Sequence, residues 1–329
     1  MKTVLITGAT GFLGERLSRN LIDDGWGVRA IVRKSSDQKL SILNQSEIIV
    51  CDLDQSIPSG DIFKNVDAII HCAARVHNAQ EFKSPDAYEK YHRTNCTASI
   101  NLARAGIAAG VPLFVFISTV KVMGDGPSKL DQPYTEIDPV APADPYGVSK
   151  GEAEQNLQKL FESQSTCKCL VIRLPMVYGP GNKGNMRALL HAASRRLPLP
   201  LKAVSARRSM LSISNFCDAI KAVLISNQNS HKVFDRYYLT DGTDYTSAEL
   251  YDTLYKIIWG RSGIFYLPLW ILELPGLIFK PLKGVYSRLC TEYRFSSAKF
   301  QKQFAWTSKH SMVDEMKNLV IWYKNQSTK

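Results

Sequence analysis

Met1-Lys2-Thr3-Val4-Leu5-Ile6-Thr7-Gly8-Ala9-Thr10-Gly11-Phe12-Leu13-Gly14 opens the chain, and its reading decides the fold. Residues 4–6 are a short apolar run of the kind that becomes a buried parallel strand. Three glycines at three-residue spacing follow at once, and residues 15–21 then carry helical periodicity. Strand, glycine turn and helix are the parts of a dinucleotide site. Gly8 permits the tight turn, Gly11 lets backbone approach a pyrophosphate, and Gly14 lets the helix pack closely on the strand. Thr10, Phe12 and Leu13 belong to the same turn, where the helix N-terminus offers free N–H groups and positive dipole to phosphates. Glycines also mark ordinary turns, so it is the strand before and the helix after that favour the nucleotide reading.

Beyond this unit the alternation continues. Residues 27–33, 48–51, 68–71, 114–117 and 169–172 read as strands, and helices are expected over 86–109 and 146–161. Residues 121–144, rich in proline, glycine and aspartate, read as a loop. Strands alternating with helices predict an α/β fold with a doubly wound parallel sheet, a Rossmann arrangement. Past Arg173 the pattern shifts to glycine- and proline-rich loops with short helices. The expected division is a dinucleotide-binding domain over 1–173 and a smaller substrate-binding domain over 174–329. Residues 233–239 alternate like a strand returning to the main sheet, so the two should interleave.

The 329 residues, 45% hydrophobic and 22% charged, fit an ordinary soluble globular protein. Seven cysteines are scattered without CxxC or Cys/His clustering, so no metal is expected. A strand beginning within a few residues of Met1 leaves no room for a signal peptide, and a cytoplasmic location is expected. The net charge is +11, and residues 251–329 hold twelve Lys/Arg against five Asp/Glu. Such a surface suits phosphate-bearing ligands or an anionic membrane; no nucleic-acid motif accompanies it. Residues 264–279 are very apolar, but Pro268, Glu273 and Pro275 interrupt them. At sixteen residues the run is short of the roughly 20 a membrane span needs. It reads as a core or interfacial helix, and peripheral membrane contact is one use for it.

Tyr146-Gly147-Val148-Ser149-Lys150 is the second decisive stretch. Residues four apart share a helix face. There the Lys150 ammonium, with an oxidised nicotinamide, would lower the phenol pKa and let Tyr146 exchange a proton. Lys150 would also hold the nicotinamide ribose. A third partner is expected at the end of the fifth strand, where Ser118 and Thr119 both qualify. Arg33 falls 19 residues after Gly14 and is followed by Lys34. NAD sites place an Asp or Glu about 20 residues past the glycines, so a basic pair suits the 2′-phosphate of NADP.

With GxxGxxG in place of GxGxxG, and with Tyr146 and Lys150, the chain resembles the extended short-chain dehydrogenases/reductases. His71-Cys72-Ala73-Ala74 and Arg173-Leu174-Pro175-Met176-Val177-Tyr178-Gly179-Pro180 look like their nucleotide-sugar epimerase/dehydratase family. The resemblance covers nearly the whole chain and implies a UDP-sugar substrate, an NADP or NAD cofactor and a homodimer built through a four-helix bundle. Val122-Met123-Gly124 occupies the family's VYG segment, which makes Thr119 the triad hydroxyl. Asp52 and Leu53 would then meet the adenine, Ala73 would border the cofactor, and Asn95 would support the active-site helix. Ser118, Lys121, Asn185 and Arg208 would contact the substrate, Arg208 with a guanidinium fork that matches a diphosphate.

Three reactions of that family are open. Its dehydratases place Asp-Glu directly after the triad hydroxyl, but Val120 and Lys121 stand here, which argues against dehydration. A 4-epimerase recycles resident NAD; a reductase consumes exchangeable NADPH or NADH, and Arg33 favours it. Ala73-Ala74-Arg75-Val76-His77, residues 117–124, Gly181-Asn182-Lys183-Gly184-Asn185 and residues 197–201 through Arg208-Ser209 look like a narrower subgroup. It holds 4-ketoreductases that form UDP-N-acetylquinovosamine for bacterial surface polysaccharide, together with UDP-glucose 4-epimerase-like relatives. Met123 is a departure, standing where that subgroup often has asparagine. The expected reaction is reduction of a UDP-linked 4-keto-6-deoxy-hexosamine, with 4-epimerisation as the alternative. A non-catalytic dinucleotide sensor on this fold would be expected to lack Tyr146 or Lys150, and both are present.

Overall fold

The computed structural model describes residues 2–33, 45–58, 60–76, 81–126, 132–164, 166–182, 184–226, 232–268, 270–271 and 290–327. Its strands are β1 (Thr3–Thr7), β2 (Gly27–Val32), β3 (Glu47–Val50), β4 (Ala68–His71), β5 (Leu113–Thr119), β6 (Lys168–Leu174), β7 (Met176–Tyr178), β8 (Arg207–Ser212), β9 (Phe234–Tyr238) and β10 (Asp244–Thr246). Seven of them form one sheet in the order β3-β2-β1-β4-β5-β6-β9, and every pairing in it is parallel. The order reverses beside β1, which puts a ligand crevice at the carboxyl ends of β1 and β4. The strand over 233–239 expected to return does so: β9 pairs with β6 at the sheet edge.

Both faces of the sheet are apolar because both are covered. On one face Leu17 and Leu21 of helix α1 (Phe12–Asp23) pack with Phe216 and Ile220 of a later helix, Ile213–Ser226. On the other, Leu102 and Ala103 meet Leu157 and Phe161 against Phe114 and Phe116 of β5. Helices on either side of β5 in the chain supply that second layer. The single helix expected over 86–109 is instead α2 (Ala87–His92), a π-helical turn (Arg93–Thr97) and α3 (Ala98–Ala108). Such turns cluster at functional sites, and this one buries Asn95 completely. Helix α4 (Pro145–Glu162) follows.

β7, β8 and β10 make a small second sheet in the order β10-β8-β7, which the sequence pattern did not announce. Its strands are three to six residues long, too short to show alternation. The apolar run 264–279 lies mostly outside the described residues. At its described start Phe265, Tyr266 and Trp270 are exposed. Among the described residues no helix is long and apolar enough to cross a membrane.

Candidate active site

The glycine turn is built as its chemistry requires. Gly8 has φ +66, and a Cβ there would lie 2.8 Å from the Ala73 amide nitrogen, so the turn and the end of β4 touch through backbone alone. The Gly11 amide donates to the Gly8 carbonyl at 2.8 Å. A Cβ on Gly14 would reach 2.3 Å from that same carbonyl, which only glycine tolerates. Gly11 caps α1 with no side-chain hydrogen bond, and the first N–H groups of a helix are those that can receive an anion. The residues present therefore fit a dinucleotide pyrophosphate. Phe12 opens α1 with its ring against Gly181, and Leu13 packs on the sheet beside it. Thr10 is half-buried between the first two glycines.

At the adenine end, Arg33 is exposed immediately after β2, and Asp52 and Leu53 are half-buried just after β3. The Cys51 amide donates to Val32 O at 2.8 Å, which brings the two strand ends together. Asp52 accepts the Asp54 amide at 3.2 Å. Lys34 lies outside the described residues.

Thr119 ends β5, and Tyr146 stands in the first turn of α4. Asp144 caps that helix by accepting the Gly147 amide at 2.7 Å, with proline in the first turn, a favourable helix start. A Cβ on Gly147 would lie 2.5 Å from the Lys121 carbonyl, so the helix start rests directly on the turn after β5. Tyr146 is half-buried. Burial pushes its phenol up to about 12, against the lowering effect of its hydrogen bond with Thr119.

Lys150, 1% exposed, donates to Ile117 O at 2.8 Å and lies 4.2 Å over the Phe116 ring. Burial pulls its pKa down to about 7, while Cys72 and Glu154 work the other way. The lowering expected from Lys150 together with an oxidised nicotinamide belongs to the bound cofactor; among the protein's own groups, burial sets the direction. Desolvation dominates both groups, and the ammonium is turned to a strand carbonyl.

Ser118 and Thr119 point to opposite faces of β5, as alternation requires. The Ser118 hydroxyl is buried and donates to Glu154 Oε1 at 2.6 Å. Of the two candidates, Thr119 is the one hydrogen-bonded to Tyr146, and a substrate contact by Ser118 would have to share its hydroxyl with Glu154. Lys121 pairs with Asp125 and, at 3.5 Å, with the capping Asp144. Arg208 lies on β8 with its guanidinium 5.4 Å from the Tyr293 ring centre, while the neighbouring Arg207 donates to Asp244 O at 2.8 Å. Asn185 opens a helix, Asn185–Ser194, and its side chain lies outside the described atoms.

One constellation was not foreseen. Glu154 and Arg173 form an ion pair at 2.7 Å with both side chains 2% exposed, and Arg173 also donates to the Tyr238 hydroxyl at 2.8 Å. Two signals were there to read. Glu154 falls four residues after Lys150, and Arg173 is the lone charge inside the apolar run of β6.

A family model described as NAD dependent epimerase/dehydratase matches residues 4–235. The chain belongs to that family. A UDP-glucose 4-epimerase of Vibrio cholerae is 32% identical over 280 residues, 84% of this chain and 82% of that protein. Among solved structures, a UDP-glucose 4-epimerase of Thermotoga maritima with UDP-glucose aligns with a TM-score of 0.75 at 20% identity, covering 99% of each chain. A UDP-glucuronic acid 4-epimerase of Bacillus cereus in complex with NAD aligns with a TM-score of 0.75 at 17% identity, covering 98% of this chain and 96% of that one. The protein is thus an enzyme of the NAD-dependent epimerase/dehydratase family, with the family's extended Rossmann architecture and NAD(P) as its cofactor.

Proposed function

We propose that the protein reduces the 4-keto group of a UDP-linked 4-keto-6-deoxy-hexosamine of the UDP-N-acetylquinovosamine type, drawing on NAD(P)H, in surface polysaccharide biosynthesis. The observation that carries this reading is Arg33, a solvent-exposed cation at the end of β2 where NAD-retaining proteins hold the ribose with a carboxylate. A cation there favours a 2′-phosphate and hence an exchangeable reductant.

The nicotinamide supplies the hydride when bound. Tyr146 gives its phenolic proton to the oxygen that becomes an alkoxide at sugar C4, and Thr119 aligns that oxygen. Lys150 holds the ribose, which draws it from Ile117 O towards the phenol. Gly8, Gly11 and Gly14 with Thr10, Phe12 and Leu13 cradle the pyrophosphate, while Asp52, Leu53 and Ala73 line the nucleotide. Arg208 and Asn185 take the substrate's nucleotide, and Lys121 borders the sugar. The Vibrio cholerae relative favours a second reading, 4-epimerisation with resident NAD. Incubation with candidate UDP-sugars, with and without added NADPH or NADH, separates the two: net oxidation of cofactor supports reduction. Epimer interconversion without added cofactor would sink it.

Two assembly proposals accompany this. A homodimer through helices α2, α3 and α4 is favoured by Tyr88, which is exposed on α2 and bonded to Glu152 of α4; a monomer in sedimentation at micromolar concentration counts against it. Contact with an anionic membrane, from the cytoplasmic side, is favoured by exposed Phe265, Tyr266 and Trp270; Lys280, Lys283 and Arg288, the cations that flank the run in the sequence, lie outside the described residues. Each cation near such a surface adds about 1 kcal/mol, so binding to anionic vesicles should weaken with salt, and no binding at low salt disposes of the idea.

A further inference from the structure

His71 ends β4 with its side chain buried between the sheet and α3. The hydrogen bonds around it fix which of its nitrogens carries the proton. Ser99 Oγ lies 2.8 Å from His71 Nε2 and gives its own proton to the Asn95 carbonyl at 2.7 Å. It must therefore accept from the ring, so Nε2 bears the hydrogen. Nδ1 is then an acceptor and takes the Thr7 hydroxyl at 2.7 Å, while Thr7 Oγ1 accepts the Ala73 amide at 3.1 Å. Each donor meets an acceptor only when the ring is neutral. A proton added at Nδ1 would set two donors against each other.

The chain does not stop at Asn95. The Asn95 side chain clamps the backbone after β4, accepting the Arg75 amide at 2.8 Å and donating to Arg75 O at 3.0 Å. It also donates to Ser149 Oγ at 3.0 Å, and Ser149 passes its proton to the carbonyl of Tyr146 at 2.9 Å. Thr7 directly precedes Gly8. A continuous set of buried contacts thus runs from the glycine turn, through His71, Ser99 and the π turn, to the first turn of α4. His71 also stacks on Phe116 at 5.8 Å, the ring that carries Lys150 Nζ on it at 4.2 Å.

We infer that His71 is a positioning residue: as the neutral Nε2–H tautomer, it ties the nucleotide cradle to the helix that carries Tyr146 and Lys150. The two halves of the site come from segments about 140 residues apart, and hydride-transfer chemistry tolerates little error in their relative placement. Burial pulls the imidazole down to about 3, and the charge of Lys150 adds to that. Lys150 is the charged group that faces it; Thr7, Ser99 and the Phe114 and Phe116 rings supply its other surroundings.

The link to turnover rests on the role proposed above for Tyr146, so two arms of the test do not use turnover. Imidazole nitrogen NMR of the wild-type protein, assigned by loss of signal in His71→Gln, should show Nδ1 bare and Nε2 protonated from about pH 5 to 8. A ring that titrates near about 6.5 overturns the inference. Hydrogen exchange in His71→Leu should accelerate in peptides covering 146–150 and stay unchanged in the helix Ser247–Trp259. Unchanged exchange at 146–150 would reduce His71 to a satisfied core histidine.

With an active substrate in hand, His71→Leu should lower kcat about tenfold with KM for the UDP-sugar unchanged. His71→Gln, which keeps a donor at the Nε2 position, should recover part of that loss. Equal kcat in all three proteins overturns the inference. If no UDP-sugar turns over while the tautomer and exchange results hold, the functional reading fails and the positioning stands.

Discussion

Two cations are buried within one side of the sheet, and the fold treats them oppositely. Arg173 on β6 is 2% exposed and meets Glu154 through three hydrogen bonds between 2.7 and 3.2 Å. Burial alone would pull its pKa down, but the charge and hydrogen bonds of Glu154 outweigh that and hold it above its ordinary value. Lys150 on α4 is 1% exposed and, among the described residues, meets a neutral carbonyl and a ring face at close range; burial outweighs the more distant Glu154, and its pKa falls to about 7. One charge is neutralised and permanent. The other is left short of a counter-charge, and so it remains titratable and available to a ligand. The difference suits Arg173 to a scaffold and Lys150 to the machinery proposed above.

The largest effect is expected where that machinery ends. Tyr146→Phe keeps the ring and removes the transferable proton, so turnover should fall by about 10²–10⁴-fold with cofactor and UDP-sugar affinity nearly intact in calorimetry. A well-folded variant with normal turnover would falsify the assignment. On the scaffold side, Glu154→Gln keeps the shape and strips the charge that Arg173 needs. Removing one partner of a buried pair costs about 3–5 kcal/mol, and urea unfolding should show a loss of that order. Arg236, whose Nε lies 3.3 Å from Glu154 Oε2, loses the same counter-charge and adds to the loss; a stability change near zero would mean that an unpaired Arg173 is not penalised by its site, and the contrast drawn between the two cations would collapse.

How much of this was open to a reader of the sequence depends on the range of the interactions. The glycine turn, the parallel sheet, the returning strand β9 and the pairing of Tyr146 with Lys150 all rest on local spacing, and spacing is written in the chain. The choice between Ser118 and Thr119 was not, because adjacent strand residues differ only in which face they take, and the neighbour that claims Ser118 is Glu154, 36 positions on. The π turn adds one residue to a helical winding that sequence periodicity leaves continuous. The burial of Tyr146 and Lys150 was no more legible. Charge at Lys150 is visible as a letter, whereas the burial that halves it near neutral pH is a property of the packed layers.

Lys150 itself offers a sharper contrast through pH. Its folded pKa of about 7 lies below its ordinary 10.5. Between those values the unfolded chain holds a proton that the folded chain has released, so the contribution of this group to stability rises with pH across that window. Below about pH 7 both states are protonated and the full cost of the buried ammonium is present. Lys150→Met should therefore be inactive yet more stable than the wild-type protein below pH 7, with the advantage fading towards pH 10. Thermal melts across that range decide it, and equal melting temperatures at low pH would show that the ammonium is not penalised by its site. Arg173→Met should do the reverse, because it leaves Glu154 charged and unpaired.

A third cation completes the comparison from the solvent side. Arg33 lies outside the core, exposed at the end of β2. If it pairs with a 2′-phosphate, the charge-assisted hydrogen bonds contribute about 1.5–3 kcal/mol. Arg33→Asp should then raise KM for NADPH about tenfold or more, leave KM for NADH nearly unchanged, and leave the melting temperature where it was. The effect is smaller than those at Tyr146 and Glu154, since a surface cation is screened by salt and retains its hydration when unpaired. It is also the one that divides the two functional readings. A reductase consumes its cofactor and must rebind it in every cycle, so the loss appears in each turnover. An epimerase that keeps NAD resident would feel the substitution little and would interconvert UDP-sugar epimers with nothing added, and that pair of results would end the reductase reading.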